Sequence, residues 1–83
     1  MSRPQIDLDL LRAFVTVAET GNMTASAARL FRSPSAVSLM IKRLEEQIGL
    51  KLFERAHRAV RLSAAGEQLL GHARKLLAAH DAM

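Results

Sequence analysis

Residues 24–48 read TASAARLFRSPSAVSLMIKRLEEQI, and this stretch decides the fold. Two helical patterns meet across a tight turn. The second opens on Ser33-Pro34. A serine at that point can accept a hydrogen bond from an unpaired backbone N–H of the first helical turn. Proline at the first helical position lacks only an N–H that would have no intrahelical partner. Beyond it Val37, Ile41, Leu44 and Ile48 recur at spacings of four, three and four, one apolar stripe on a helix. Ser35, Ser38, Leu39, Lys42 and Arg43 fall on the opposite side. A short helix, a turn and a longer helix with an exposed polar and basic face form a helix-turn-helix, whose second helix can lie in a DNA major groove.

The preceding segment is strongly amphipathic. Leu8, Leu11, Val15 and Ala18 form a stripe that Leu10, Phe14 and Val17 broaden, with Asp7 or Asp9 as cap and Gly21-Asn22 as the stop. Residues 1–7 read as an arm. The second helix starts between Asn22 and Thr24 and runs to about Phe31. Its Ala25, Ala27 and Ala28 suit a close approach to the third helix, and Met23, Leu30 and Phe31 are expected in the core. Gly49 ends the third helix. Glu45 and Glu46, near that end, are assigned to local pairing with Lys42 or Arg43.

From residue 50 the period changes. Leu50 and Leu52, then Val60 and Leu62, alternate with basic residues, as short half-buried strands do. ERAHRA between them makes a charged hairpin tip, so residues 51–62 read as a wing with Arg55 and Arg58 able to reach phosphates or a narrow minor groove. Ser63 then caps a last helix over 64–83. Gly66, Leu69, Ala73, Leu76, His80 and Met83 form one row along it, flanked by Leu70 and Leu77. Only the first part of so long a helix is expected to cover so small a body. The rest would pair with the same helix of a second copy, through Leu69, Leu70, Ala73, Leu76, Leu77 and His80.

Composition narrows the function. Residues 29–61 carry eight basic residues against three acidic ones, a net +5 within a chain of net +4. The basic excess therefore sits on the helix-turn-helix and wing, and points to a polyanion. With no cysteine, disulfides and cysteine-bound metal are excluded, and a reducing compartment fits. No apolar run approaches a membrane span, and Arg3-Pro4 leads into acidic residues rather than a signal-peptide core. His57, His72 and His80 form no metal or catalytic set, and no carboxylate pair or glycine-rich phosphate loop can be assigned. No cofactor, metal or catalysis is expected. The competing reading is a winged helix that serves only as a protein-interaction or dimerisation module. It accounts for the apolar row on the last helix but not for the basic face of the third.

Ala36-Val37-Ser38, the RLEEQIG of Arg43–Gly49, the LFER of Leu52–Arg55 and the LSAAG of Leu62–Gly66 follow in order. In this combination the chain, from about Leu8 onward, resembles the N-terminal DNA-binding domain of LysR-type transcriptional regulators. The resemblance implies a mainly α winged helix-turn-helix over 8–63, with the helix-turn-helix at about 23–48, and a linker helix over 64–83 that pairs in a dimer. It also implies a larger C-terminal effector-binding domain, absent from this chain, through which alone a small molecule would act. A homodimer on two-fold related half-sites of double-stranded DNA is expected, or a tetramer at full length, in the bacterial cytoplasm at the nucleoid. Pattern and resemblance together assign DNA contacts to Thr24, Arg32, Ser33, Pro34, Ser35, Ser38, Leu39, Lys42, Arg43, Arg55 and Arg58. Pro34 stands where the family often has glutamine, and it offers no amide for a base edge. With Leu39 and Met40 following, either thymine-methyl contacts or DNA shape would carry more of the specificity.

Overall fold

Four helices and a two-stranded hairpin follow in the order α1 (Leu8–Thr20), α2 (Met23–Leu30), α3 (Pro34–Ile48), β1 (Phe53–Ala56), β2 (Ala59–Leu62) and α4 (Ala64–Asp81). The computed structural model describes residues 7–56 and 59–82. The arm over 1–6, His57 and Arg58 at the hairpin tip, and Met83 lie outside the described residues.

Every helix begins on a side-chain cap. The Asp7 carboxylate accepts the Asp9 N–H at 2.8 Å, Asn22 Oδ1 the Ala25 N–H at 2.9 Å, Ser33 Oγ the Ala36 N–H at 3.1 Å and Ser63 Oγ the Gly66 N–H at 3.0 Å. Each cap satisfies a donor that the helix leaves unpaired. Gly21 and Gly49 close α1 and α3 in the left-handed region, at φ 66° and 82°.

The α1 stripe is rotated from its expected position. Leu10, Leu11, Ala13, Phe14 and Val17 are buried, while Leu8, Val15 and Ala18 are only partly covered. The cause is that α1 is packed on more than one side, against α2, α3 and α4 and against β2.

The α2 turn corrects two expectations. Phe31, expected in the core, is 95% exposed. It takes φ +56°, and its N–H reaches Ala28 O while the Arg32 N–H reaches Ala27 O at 3.0 Å. That is the paired hydrogen bonding of a left-handed helix stop, which here leaves the Phe31 ring in solvent. Ala25 and Ala28 are also exposed. The close approach of α2 is made by Ala27 and the fully buried Ser26. The Ser26 hydroxyl is satisfied by Asn22 O at 2.8 Å and Thr20 Oγ1 at 2.6 Å. Met23 and Leu30 are half-buried against the core, and Met40 of α3 is buried in it.

The hairpin is antiparallel, with Phe53 opposite Leu62 and Ala56 opposite Ala59. The first strand starts at Phe53, not near Leu50. Leu52 is buried beneath the hairpin root, and Leu50 is 54% exposed. Three hydrogen bonds dock the hairpin, one on its second strand and two at its root. Val60 N–H donates to Gly21 O at 3.2 Å, Ser63 N–H to Leu52 O at 2.9 Å, and Ser63 Oγ to Lys51 O at 2.6 Å. The Phe14 and Phe53 rings lie 5.4 Å apart, tilted by 56°, and join α1 to β1.

The last helix lies antiparallel along α1. Asp81 meets Arg12, and Arg74 meets Glu19 at 3.6 Å, so seven residues forward on one helix match seven back on the other. Ala73 and Leu77 are buried within the same chain. The whole of α4, and not its first part alone, therefore covers the domain. Glu19 also meets Arg29 at 3.5 Å, linking α2 to this seam.

The Arg12–Asp81 pair gives a pH prediction. Its hydrogen bond, then its charge, hold the Asp81 carboxyl below its ordinary value and raise Arg12. A depressed carboxylate contributes stability above its unfolded pKa of about 3.9, lost as pH falls through the lower folded value. The last turn of α4 should therefore loosen only in strong acid, and Asp81→Asn should abolish that titration. Amide exchange at residues 78–82 against pH measures it. Because both groups are solvent-exposed, added salt should shrink the effect.

Candidate nucleic-acid interface

Capping places the N-terminus of α3 at the surface. Ser33, Pro34 and Ser35 are exposed there, with Ser33 Oγ 3.3 Å from Ser35 Oγ and already accepting from Ala36. Unpaired N–H groups and the helix dipole make such an end favourable to anions. Arg32 precedes it and is exposed, as are Thr24 at the start of α2 and Lys42 and Arg43 one turn or more along α3. Leu39 is 48% exposed on that face, and Ser38 is half-buried. Met40, read beside Leu39 as a position near the bases, points instead into the core at 9% exposure. Its spacing of three from Val37 and four from Leu44 puts it on the buried arc. The structure thus gathers Thr24, Arg32, Ser33, Pro34, Ser35, Leu39, Lys42 and Arg43 onto exposed positions of the helix-turn-helix.

The wing follows this face across a groove. Met23, Ser38, Ile41, Lys42, Glu45, Lys51, Phe53 and Val60 line it. Lys51, exposed at the wing root, joins Lys42 there. Its charge is legible in the sequence, but its proximity to α3 follows only from the hairpin's docking. Arg55 is carried on β1, its backbone paired with Val60, and Arg61 is exposed on β2. Arg29 is different: its guanidinium meets Glu19 at the α4 seam.

Glu45 departs from the local pairing assigned to it. Its Oε2 accepts the Leu52 N–H at 2.8 Å and the Phe53 N–H at 3.4 Å. Among the described residues, no ion pair joins Glu45 or Glu46 to Lys42 or Arg43.

A second, apolar groove lies between the end of α3, the segment leading into the wing and the first half of α4. Ile48, Leu50, Leu52, Ala65, Gln68, Leu69 and His72 line it. Leu76, 47% exposed, and His80 continue along the outer side of α4, with Leu69 and Leu70 half-buried. Of the row read as a pairing seam, Ala73 and Leu77 are core residues of their own chain, and the others remain accessible in part. Among the described residues, no group of three His, Cys, Asp or Glu could hold a metal ion, and no helix is long and apolar enough to cross a membrane.

A capped two-helix corner, a basic hairpin beside it and a long closing helix define a winged helix-turn-helix domain. The chain belongs to the lysR family of bacterial regulatory helix-turn-helix proteins, whose family model matches residues 8–67. It is similar to the HTH-type transcriptional regulator PecT of Dickeya dadantii, 48% identical over 82 residues that cover 96% of this chain and 26% of that one. Similarity to the HTH-type transcriptional regulator DgdR of Burkholderia cepacia is 45% over 76 residues, covering 92% and 26%. The chain therefore spans about a quarter of the length of these curated relatives. Among solved structures it resembles a CbnR DNA-binding domain in complex with DNA, with TM-score 0.88 at 38% identity, covering 92% of this chain and 87% of that one. A BenM DNA-binding domain bound to benA site 1 DNA matches with TM-score 0.89 at 36% identity, covering 94% and 88%.

Proposed function

We propose that this chain binds double-stranded DNA sequence-specifically, as the DNA-reading part of a LysR-type transcriptional regulator. The observation that carries the reading is the exposed face that runs from the N-terminus of α3 past its middle. It presents Ser33, Ser35, Lys42 and Arg43 beside a basic wing, on a fold shared with domains solved on DNA. In this reading α3 enters the major groove. Arg32, Lys42, Arg43 and Lys51 neutralise phosphates, Ser35, Ser38 and Leu39 meet base edges, and Arg55 and Arg58 serve the wing. Thr24 and the α3 N-terminus orient the domain on the backbone. Pro34 contributes a preset helix start in place of an amide, which shifts discrimination toward methyl contacts or DNA shape.

Two copies pair through the side of α4 that carries Leu69, Leu76 and His80, with Leu70 at the far edge of its core-facing arc; Leu69 lines the apolar groove. A two-fold pair presents two recognition helices to an inverted repeat. The reading involves no catalysis and no cofactor. It places the protein in the bacterial cytoplasm, at the nucleoid, with effector binding the work of a further domain of the full-length regulator.

Binding to random duplexes and to a selected pool, titrated with salt, tests it. If a dimer makes about six phosphate contacts, affinity should fall roughly 10³-fold between 50 and 200 mM salt, with an inverted repeat enriched. Absence of binding at low salt from a chain that still dimerises would transfer the assignment to a protein-interaction module.

A further inference from the structure

We propose that Glu45 is a positioning residue for DNA recognition, fixing the wing against the recognition helix through the backbone of Leu52 and Phe53. The inference rests on the DNA-binding reading above. Glu45 stands one turn beyond Lys42 on α3 and lines the same groove as Lys42 and Lys51. A carboxylate there repels a phosphate backbone, so charge alone argues against its presence. Its geometry supplies the reason. One oxygen, Oε2, takes both N–H groups at the root of β1, at 2.8 Å and 3.4 Å. These bonds span seven and eight residues and tie α3 directly to the first strand of the wing.

Among the described residues, other contacts of the wing lead to α1, the α1–α2 turn and the start of α4. Val60 N–H donates to Gly21 O in the α1–α2 turn, Phe53 stacks with Phe14 of α1, and Leu52 O takes the N–H of Ser63. Glu45 thus sets the spacing between the two parts of the domain that touch DNA. A preset spacing raises the effective concentration of the second contact once the first has formed, and it spares the ordering cost on binding.

The test is a set of duplex affinities, measured on variants whose folded fraction is known from thermal melts. Glu45→Asp keeps the charge but shortens the side chain by one methylene, out of reach of the two N–H groups. Glu45→Gln loses the charge but keeps an acceptor at the same reach. Positioning predicts that Glu45→Asp weakens binding about tenfold while Glu45→Gln stays within about threefold of wild type. It also predicts that Arg55→Ala, costly in the wild type, loses most of its effect in the Glu45→Asp background, because a displaced wing no longer contributes. The opposite pattern, Glu45→Gln binding more tightly and Glu45→Asp like wild type, would make the carboxylate a simple repulsive charge and overturn the proposal. An undiminished Arg55→Ala effect would overturn it as well, leaving Glu45 a purely structural group. If the wild-type chain itself fails to bind duplex at low salt, the DNA-binding reading falls and this one with it. If it binds and the cycle is additive, only this one falls.

Discussion

Phe14→Ala should lower stability by about 4 kcal/mol, the largest loss expected from a single substitution in this chain. Phe14 is fully buried, and its ring meets Phe53 at the base of the wing. Truncation removes the transfer free energy of the ring and leaves a cavity between α1 and β1. It also removes an aromatic pair contributing about 0.5–1.5 kcal/mol beyond its buried area. A domain of this size holds about 4–12 kcal/mol in all, at roughly 0.05–0.15 kcal/mol per residue. The variant should therefore melt about 20 °C lower or fail to fold at ambient temperature. Denaturant unfolding checks this, the midpoint falling while the slope stays near wild type. Phe14→Leu should cost less than about 1.5 kcal/mol if the loss is one of volume. A Phe14→Ala loss below about 1 kcal/mol would mean that the wing collapses inward and refills the space.

Gly66→Ala sets two effects of opposite sign against each other. Gly66 is in the first turn of α4, where alanine is favoured over glycine by up to about 1 kcal/mol of helix propensity. A Cβ there, however, would lie 2.2 Å from Leu52 O and 2.9 Å from a Leu62 methyl. The leucine side chain can move, but the carbonyl cannot easily do so. It is held by the Ser63 N–H at 2.9 Å, at the same root that Glu45 clamps. Sterics therefore win, and we expect a net loss of about 3 kcal/mol, with α4 displaced from the wing. Gly71 provides the contrast. Beyond the local backbone of its own helix nothing lies within 4 Å of where a Cβ would stand, so Gly71→Ala should gain up to about 1 kcal/mol. Thermal melts of the two variants separate propensity from packing. A neutral Gly66→Ala would show that the β1 root yields, and would weaken the case that this root fixes the geometry of the groove between α3 and the wing.

Both substitutions act on the same small junction. Phe14, Phe53, Leu52, Gly66 and Glu45 come from α1, the wing root, α4 and α3. Their packing and hydrogen bonds join the wing root to α1, α3 and α4. The residues facing solvent would supply the chemistry of DNA contact, and this junction supplies their spacing.

Short-range signals along the chain are enough to give the elements and the class of fold. Ser33-Pro34, Ser63, Asp7 and the glycines at 21 and 49 act on backbone groups within a few residues of themselves, so their signals are legible without a partner. The concentration of basic residues on 29–61 is likewise local in the chain. What each face meets depends instead on how the elements pack. Periodicity leaves the partner of the α4 row open, since an amphipathic pattern says that a face is buried but not by which chain; α4 packs along α1, with Ala73 and Leu77 buried. Phe31 looked like core until the left-handed turn left it in solvent, and Met40 looked like a surface neighbour of Leu39 until the buried arc of α3 included it. Glu45 was least legible of all. Its partners lie seven and eight residues away, across a loop whose path is set by the docking of the wing, and helical spacing carries no information about such a contact.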